Sequence, residues 1–225
     1  MIKIENLTKR FGKKTVLNQL SVAFETGKVY GIVGENGAGK TTLFRCIAGL
    51  ESFDGNIIAD KLPIKDYLGL LLTEPFFFSK ITGKEYIRLL CQARGFQITD
   101  IDDRNIFDLP LNQYASTYST GMKKKLALTA VLLQKNEFFI LDEPFNGVDI
   151  QSNIIITEII HKLKETRKTT IISSHIFSTL KVTCDEIYVL KDGTLTRHLH
   201  REEFTDFEIE MKEMLMGNKI EVLGL

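Results

Sequence analysis

Residues 34–42 constrain the fold of this chain more than any other segment. They read GENGAGKTT and fit the phosphate-binding pattern G-x-x-x-x-G-K-[ST] without substitution. The short apolar run 28–33 precedes the segment, and apolar residues recur after it at helical spacing, as at Leu43, Phe44 and Ile47. The pattern therefore predicts a strand, a glycine-rich loop and a helix in succession.

The chemistry of this loop suits a bound phosphate chain. Its glycines allow backbone conformations closed to residues with a Cβ, so successive amide groups can point inward at an anion. The helix that begins near Lys40 adds the positive end of its dipole at the same point. We therefore predict a nucleotide site rather than a glycine-rich turn with an incidental lysine. It comprises Gly34, Glu35, Asn36, Gly37, Ala38, Gly39, Lys40, Thr41 and Thr42. In it, Lys40 would reach the β- and γ-phosphates and Thr41 would place its hydroxyl on Mg²⁺.

Composition excludes several classes of partner. The chain has 225 residues with 29 basic and 29 acidic side chains, so no net positive field recruits nucleic acid or anionic lipid. Cys46, Cys91 and Cys184 lie far apart without a C-x-x-C pair, which argues against a disulfide framework or a zinc site. No segment approaches the roughly 20 apolar residues of a membrane helix. A membrane function would therefore need a partner that supplies the spans.

A second polar pair follows a buried strand. The apolar run 137–141 ends in Asp142 and Glu143, as expected of a parallel strand that delivers carboxylates at its C-terminal end. Asp142 can hold Mg²⁺ opposite Thr41, and Glu143 can orient or deprotonate an attacking water. A solvated strand end is the alternative, and the phosphate-binding loop upstream makes the catalytic interpretation the stronger one.

Further along the chain, several short motifs occur in an order typical of one family. Residues 118–122 read YSTGM ahead of a helix, residues 147–149 read GVD, and Ser174-His175 follows an apolar strand. Together with the loop at 34–42, they resemble the nucleotide-binding subunits of ATP-binding cassette (ABC) transporters over about residues 1–195. In that family, residues 118–122 correspond to a signature loop usually written Leu-Ser-Gly-Gly-Gln.

The resemblance implies a fold and a division of labour among residues. The fold would be an α/β P-loop NTPase of the ABC type, with a RecA-like core, an antiparallel β subdomain and an inserted helical subdomain. The chain would be a single domain, with residues 1–73 and 136–200 as the core, 74–135 as the helical subdomain and 201–225 as a helical tail. Catalysis would involve Lys40, Glu143 and His175, and nucleotide contacts would come from Phe11, Ser119, Thr120, Gly121 and Asp149.

Two departures from the family pattern bear on the site. Thr120 and Met122 stand where the signature loop usually has glycine and glutamine, and a side chain at 120 narrows the permitted backbone. The family's glutamine that links Mg²⁺ to the membrane interface would lie just after the predicted strand 67–72. Thr73 and Glu74 stand there instead and become the candidate metal ligands beside Thr41 and Asp142.

Three further segments allow more than one interpretation. Residues 123–125 are consecutive lysines, expected to be exposed at the start of a helix. Residues 76–78 are consecutive phenylalanines that cannot all face one side, so one or two are expected to line a groove for the membrane partner. The acidic tail, residues 202–213, is expected by default to be a solvated amphipathic helix. Docking on the domain, dimerisation and contact with a partner are the alternatives.

The expected function is that of an ATPase subunit at the cytoplasmic face of a membrane. ATP and Mg²⁺ would be its cofactors, and its partners would be a multi-span membrane subunit, for export, and a second nucleotide-binding subunit, identical or different. A soluble ATPase of the same fold in assembly or regulation is one alternative. A module that closes on ATP with weak hydrolysis is another, kept open by Thr73 and the altered signature loop.

Overall fold

A computed structural model describes residues 1–216, with side chains described to residue 213. Within that range the chain forms nine strands and six α-helices. The strands are β1 (Ile2–Phe11), β2 (Lys14–Phe24), β3 (Val29–Val33), β4 (Asp54–Ala59), β5 (Leu68–Leu71), β6 (Phe138–Asp142), β7 (Thr169–Ser173), β8 (Glu186–Lys191) and β9 (Thr194–His200). The helices are α1 (Lys40–Ile47), α2 (Gly83–Gln92), α3 (Thr120–Leu132), α4 (Ile150–Glu165), α5 (Phe177–Thr183) and α6 (Phe204–Met216).

A six-stranded sheet in the order β5-β6-β7-β3-β8-β9 forms the centre of the molecule. All neighbouring pairs are parallel except β8 with β9, which form an antiparallel hairpin. Every residue of β3, β6 and β7 is buried, because helices and the second sheet cover both faces. This burial explains why these strands are continuous apolar runs in the sequence.

The second sheet is antiparallel, in the order β2-β1-β4. Its inward residues, such as Ile4 and Leu17, join a core cluster with Phe44 of α1 and Ile140 of β6. The predicted α/β fold with an additional antiparallel sheet is therefore confirmed. The first strand continues to Phe11, because its pairing with β2 extends to the turn at Gly12.

The segment between β5 and β6 is helical, as predicted. Helix α2 begins at a capping box in which the Thr82 hydroxyl accepts from the Glu85 amide and the Glu85 carboxylate accepts from the Thr82 amide. The polar stretch after it forms only a short 3-10 turn, Asp102–Arg104. Helices α2 and α3 contribute to a core cluster shared with β3 and β6, through residues such as Ile87, Leu126 and Leu141.

The prediction that residues 123–125 are exposed was wrong. Lys124 is only 2% exposed, and the Lys125 side chain is 14% exposed and paired with Asp149. Successive helical residues project about 100° apart, so three neighbours cannot all face solvent when the helix is covered on most sides. Helix α3 is such a helix, with most of its residues after Met122 buried.

The tail begins as a helix that docks on the domain rather than a solvated one. Phe204 and Phe207 are buried and pack their rings 6.2 and 5.4 Å from that of Phe177 in α5. Lys181 and Glu208 form an ion pair of 3.0 Å across the same contact. Residues 217–225, the rest of the predicted tail, lie outside the described residues. None of the helices within residues 1–216 has the length and apolarity that a bilayer span requires.

Candidate active site

The loop at residues 34–42 joins β3 to α1 and lies at the C-terminal edge of the six-stranded sheet. Gly37 and Gly39 take left-handed backbone conformations, with φ of 87° and 110°, and Gly39 is the N-cap of α1. The loop borders a cleft of about 680 Å³. Residues of several elements line this cleft: Val16, Asn36, Gly37, Gly39, Lys40, Thr41, Thr42, Arg45, Leu72, Thr73, Glu74, Asp142, Glu143, Asn146 and His175.

Lys40 lies across this loop. Its ammonium donates to the carbonyl oxygens of Gly34, at 2.6 Å, and Glu35, at 3.2 Å. The side chain is largely buried, so the cation is held against the carbonyl oxygens of the loop instead of extending into solvent. The first turn of α1 carries no acidic residue, so this end of the helix keeps its positive potential for an anion.

Thr41 and Asp142 both line the cleft and are hydrogen-bonded to each other. The Thr41 hydroxyl donates to Asp142 Oδ2 at 2.6 Å, and the Ser173 hydroxyl donates to Asp142 Oδ1. Asp142 is fully buried at the end of β6, next to β7, which ends at Ser173. A hydroxyl and a carboxylate oxygen at this separation form the hard donor set that Mg²⁺ prefers, so the residues present fit this ion.

Glu143 is held in an unusual backbone conformation beside Asp142. Its φ of 52° lies in the left-handed region, which costs a residue with a side chain about 1–2 kcal/mol. Its amide donates to Ser173 Oγ at 2.9 Å, and its Oε2 lies 2.8 Å from Nδ1 of His175. The Glu143 carboxylate therefore lines the cleft beside His175, whose side chain is about half exposed to solvent.

Thr73 and Glu74 also line the cleft, together with Asp142 and Glu143. They follow β5, which pairs with β6 in parallel, so both strands deliver polar residues to the same edge of the sheet. The sequence predicted Thr73 and Glu74 as metal ligands beside Thr41 and Asp142, and in the structure all four residues line the same cleft.

Ser119, Thr120 and Gly121 lie away from this cleft, at the start of α3. Ser119 is the N-cap of that helix, and its hydroxyl accepts from the Met122 amide at 3.2 Å. Thr120 does not have a positive φ, so its side chain places no strain on the backbone where the family has glycine. The loop presents a helix N-terminus at the surface, outside the cleft of its own chain.

Asp149 also lies outside the cleft. Its carboxylate caps α4, accepting from the Ser152 amide at 2.8 Å, and pairs with Lys125 Nζ at 3.1 Å. The hydrogen bond from the Ser152 amide, then the Lys125 ammonium, holds the pKa of Asp149 well below its usual range. Its contacts within the chain are therefore those of a helix cap joined to α3.

Phe11 lies at the end of β1 and is 48% exposed, with Lys9 Nζ 4.6 Å from its ring centroid. It is not among the residues that line the cleft. An exposed aromatic beside a cation is available for stacking, and the structure places it at the tip of the β1–β2 hairpin.

Sequence reasoning missed two residues that contact Glu143. Ser173 binds both Asp142 and the Glu143 amide, and Lys124 Nζ donates to the Glu143 carbonyl at 2.7 Å. Ser173 immediately precedes Ser174-His175, so its position after an apolar strand was a usable signal. Lys124 gave no such signal, because it lay in a run that is ordinarily solvated.

Comparisons with known proteins identify a family for this chain. Residues 17–146 match a family model described as "ABC transporter". The chain is 31% identical to the bacitracin transport ATP-binding protein BcrA of Enterococcus faecalis, over 93% of this chain and 74% of that one. It is 34% identical to the ABC transporter ATP-binding protein NatA of Bacillus subtilis, over 86% and 87% of the two chains. It is 31% identical to the lantibiotic transport ATP-binding protein SrtF of Streptococcus pyogenes, over 87% and 89%.

Solved structures resemble the fold at lower sequence identity. An ATP-binding subunit of an ABC transporter superposes with a TM-score of 0.83 at 23% identity, covering 93% of this chain and 94% of that one. A dimeric ATP-binding cassette, described as a post-hydrolysis state bound to ADP and Pi, superposes with a TM-score of 0.80 at 19% identity. That match covers 89% of this chain and 99% of the other.

Proposed function

Because the chain belongs to the family of ABC transporter ATP-binding proteins, we propose that it hydrolyses ATP to drive a separate membrane-spanning subunit that exports its substrate. One observation carries the proposal. The phosphate-binding loop, Asp142, Glu143 and His175 line a single cleft, although they come from three different parts of the sequence.

The loop would hold the phosphates of ATP, with Lys40 exchanging its carbonyl partners for phosphate oxygens. Thr41 and Asp142 would hold Mg²⁺, with Thr73 and Glu74 as further oxygen donors at the same edge of the sheet. Held by these residues, Mg²⁺ would supply positive charge that stabilises the phosphoryl group during transfer.

Glu143 would orient the attacking water and accept its proton. His175, in contact with the Glu143 carboxylate, would hold that side chain in place and lie near the γ-phosphate. The left-handed backbone of Glu143 supports this role, because strained conformations persist where the surrounding contacts fix a functional geometry.

A second nucleotide-binding subunit would complete the site. Ser119 and Gly121 lie outside their own chain's cleft, so contact with a γ-phosphate requires another molecule that closes head to tail. The N-terminus of α3 would then supply its amide groups and dipole to that phosphate, with Thr120 in ordinary helical conformation. Asp149, which also lies outside the cleft, would reach a nucleotide only in such a closed pair. Phe11 would stack on the adenine ring.

The membrane partner would dock on the segment before α2. Phe76 and Phe78 are 74% and 56% exposed, while Phe77 between them packs on Tyr86 with ring centroids 4.5 Å apart. Two neighbouring exposed aromatics form an apolar surface suited to a short partner helix. Relatives named for bacitracin and lantibiotic transport support an exporter, with this chain at the cytoplasmic face of the membrane.

The experiment that tests this function combines one substitution with one purification. Glu143→Gln should abolish phosphate release and favour an ATP-bound dimer in size-exclusion chromatography, because the amide cannot accept the proton. Glu165→Gln, an exposed change on α4, is the matched control and should leave turnover unchanged. Unchanged phosphate release in E143Q would reject the catalytic assignment.

Affinity purification from detergent-solubilised membranes, at native expression, tests the partner. We expect the chain to bring down a protein with several membrane spans. Its absence would favour the soluble ATPase, and retention of ATP without phosphate release in the presence of that protein would favour the weakly hydrolysing module.

A further inference from the structure

Lys124 combines three properties that rarely occur together. It is only 2% exposed, it lies one turn into α3 behind the signature loop, and its ammonium reaches the turn that carries Glu143. Lysine is almost never fully buried unless its charge is compensated. Its neighbour Lys123 remains partly exposed on the same turn of the helix.

The contact is made to the backbone of Glu143. Lys124 Nζ donates to the Glu143 carbonyl oxygen at 2.7 Å, and the Asn146 amide donates to the same oxygen at 3.2 Å. On its other side, the Glu143 amide donates to Ser173 Oγ at 2.9 Å. The backbone carbonyl and the backbone amide of Glu143 are thus each held by a side chain from a separate element, α3 and β7 respectively.

The charges around Lys124 explain why a buried ammonium is tolerated. Burial lowers the pKa of Lys124, and the negative charges of Glu143 and Asp142 act in the opposite direction. Glu143 and Asp142 line the cleft, and Lys124 therefore supplies positive charge to these two carboxylates from the interior of the protein.

We propose that Lys124 is a positioning residue for hydrolysis: its buried ammonium holds the Glu143 carbonyl and so keeps that residue in the left-handed conformation that aims its carboxylate at His175. This inference rests on the proposed ATPase function. It adds a residue of the signature helix to the hydrolytic centre of its own chain.

The same helix contacts the other end of this turn. A Cβ on Gly121 would lie 2.6 Å from the carbonyl oxygen of Gly147, so the start of α3 and the turn after Glu143 are in close backbone contact. Through Lys124 and Gly121, α3 touches both ends of residues 143–147. A helix that faces the partner's nucleotide is thereby joined to the glutamate of its own site.

The test compares Lys124→Met and Lys124→Gln with Lys123→Met as the matched control. Methionine keeps much of the buried volume without a donor, and glutamine keeps an amide donor without the charge. Lys123→Met removes the same charge one residue away. Each variant is measured for kcat and KM for ATP, and for amide hydrogen exchange of residues 143–147 in the nucleotide-free chain.

We expect K124M to lower kcat by about a hundredfold, the effect of roughly 1 Å of displacement at a reacting group, with KM within about twofold. K124Q should recover part of that loss, and it remains informative if K124M fails to fold. Amides of residues 143–147 should exchange faster in K124M and K124Q than in K123M, while those of β3 stay protected.

Turnover by K124M and K124Q equal to that of K123M would overturn the proposal. A fall in kcat that is always accompanied by a rise in the KM for ATP would also overturn the proposal. Unchanged amide hydrogen exchange at residues 143–147 would do so as well. The exchange measurement needs no ATP hydrolysis. If the wild-type chain proved inactive, the proposed function would fail while the holding role of Lys124 would still be tested.

Discussion

Replacing Gly121 by alanine tests whether the start of α3 is fixed against the loop after Glu143. The added Cβ would lie 2.6 Å from the Gly147 carbonyl oxygen, and ordinary contact begins near 3.4 Å. The neighbour is backbone, which cannot rotate away, so the two segments must separate by about 0.8 Å, the difference between these distances.

Two opposing effects decide the change in stability. Alanine improves helix propensity by at most about 1 kcal/mol, and by less in the first turn, where Gly121 lies. Overpacking of a backbone contact costs about 1–3 kcal/mol. The net expectation is a loss of about 1 kcal/mol, which lowers the Tm of a chain of this size by about 2–4 °C.

The assay measures thermal unfolding, ATP binding and phosphate release of the G121A chain. A displacement of about 0.8 Å at the signature loop should lower turnover by up to about a hundredfold. Binding of ATP to the isolated chain should stay within about twofold, because the phosphate-binding loop lies elsewhere. Thr120→Ala, the adjacent control, also improves helix propensity but adds no atom near Gly147. A Tm for G121A equal to or above that of T120A, with normal turnover, would refute the reasoning.

Two further predictions concern charge and surface. Asp149→Asn keeps a helix cap but removes the charge. The pKa of Asp149 is lowered in the folded state, so the stability that its charge contributes to folding is complete above about pH 4. That stability is lost as the pH falls below this value. The urea midpoint of D149N should therefore lie below that of the wild type at pH 7, with a gap that narrows towards pH 3; a constant gap would contradict it. Phe76→Ser with Phe78→Ser should leave the unfolding free energy within about 0.5 kcal/mol yet abolish capture of the membrane partner. Phe77→Ala should lower the unfolding free energy but leave capture of the membrane partner intact, since the Phe77 ring packs on Tyr86. If both changes reduced capture equally, Phe76 and Phe78 would not form the docking surface.

Features that depend on neighbouring residues could be predicted from the sequence. Glycine positions and short apolar runs encode the loop at 34–42 and the strand that ends in Asp142. The alternation at residues 76–78 also followed from local geometry, because three successive side chains cannot share one face. These parts of the fold and site were therefore expected before any contact was known.

Features that depend on packing could not be predicted in the same way. Lys124 was assigned to solvent from its position in a lysine run, whereas α3 is covered on most sides and directs that side chain inward. For Ser173, the sequence indicated only that the residue lies at the end of a strand. Its contacts with Asp142 and Glu143 depend on β6 and β7 being neighbours, which the sequence order does not state.

The sequence by itself determined which groups this protein could use: a glycine-rich loop with a lysine, two carboxylates after a strand and a histidine after another. The tertiary structure alone decided that Thr41 meets Asp142, that Glu143 meets His175, and that Lys124 reaches the same turn. The reason is physical. Parallel strands far apart in the chain bring their carboxyl ends to one edge of the sheet, and whether a charged side chain is buried depends on the elements packed around it.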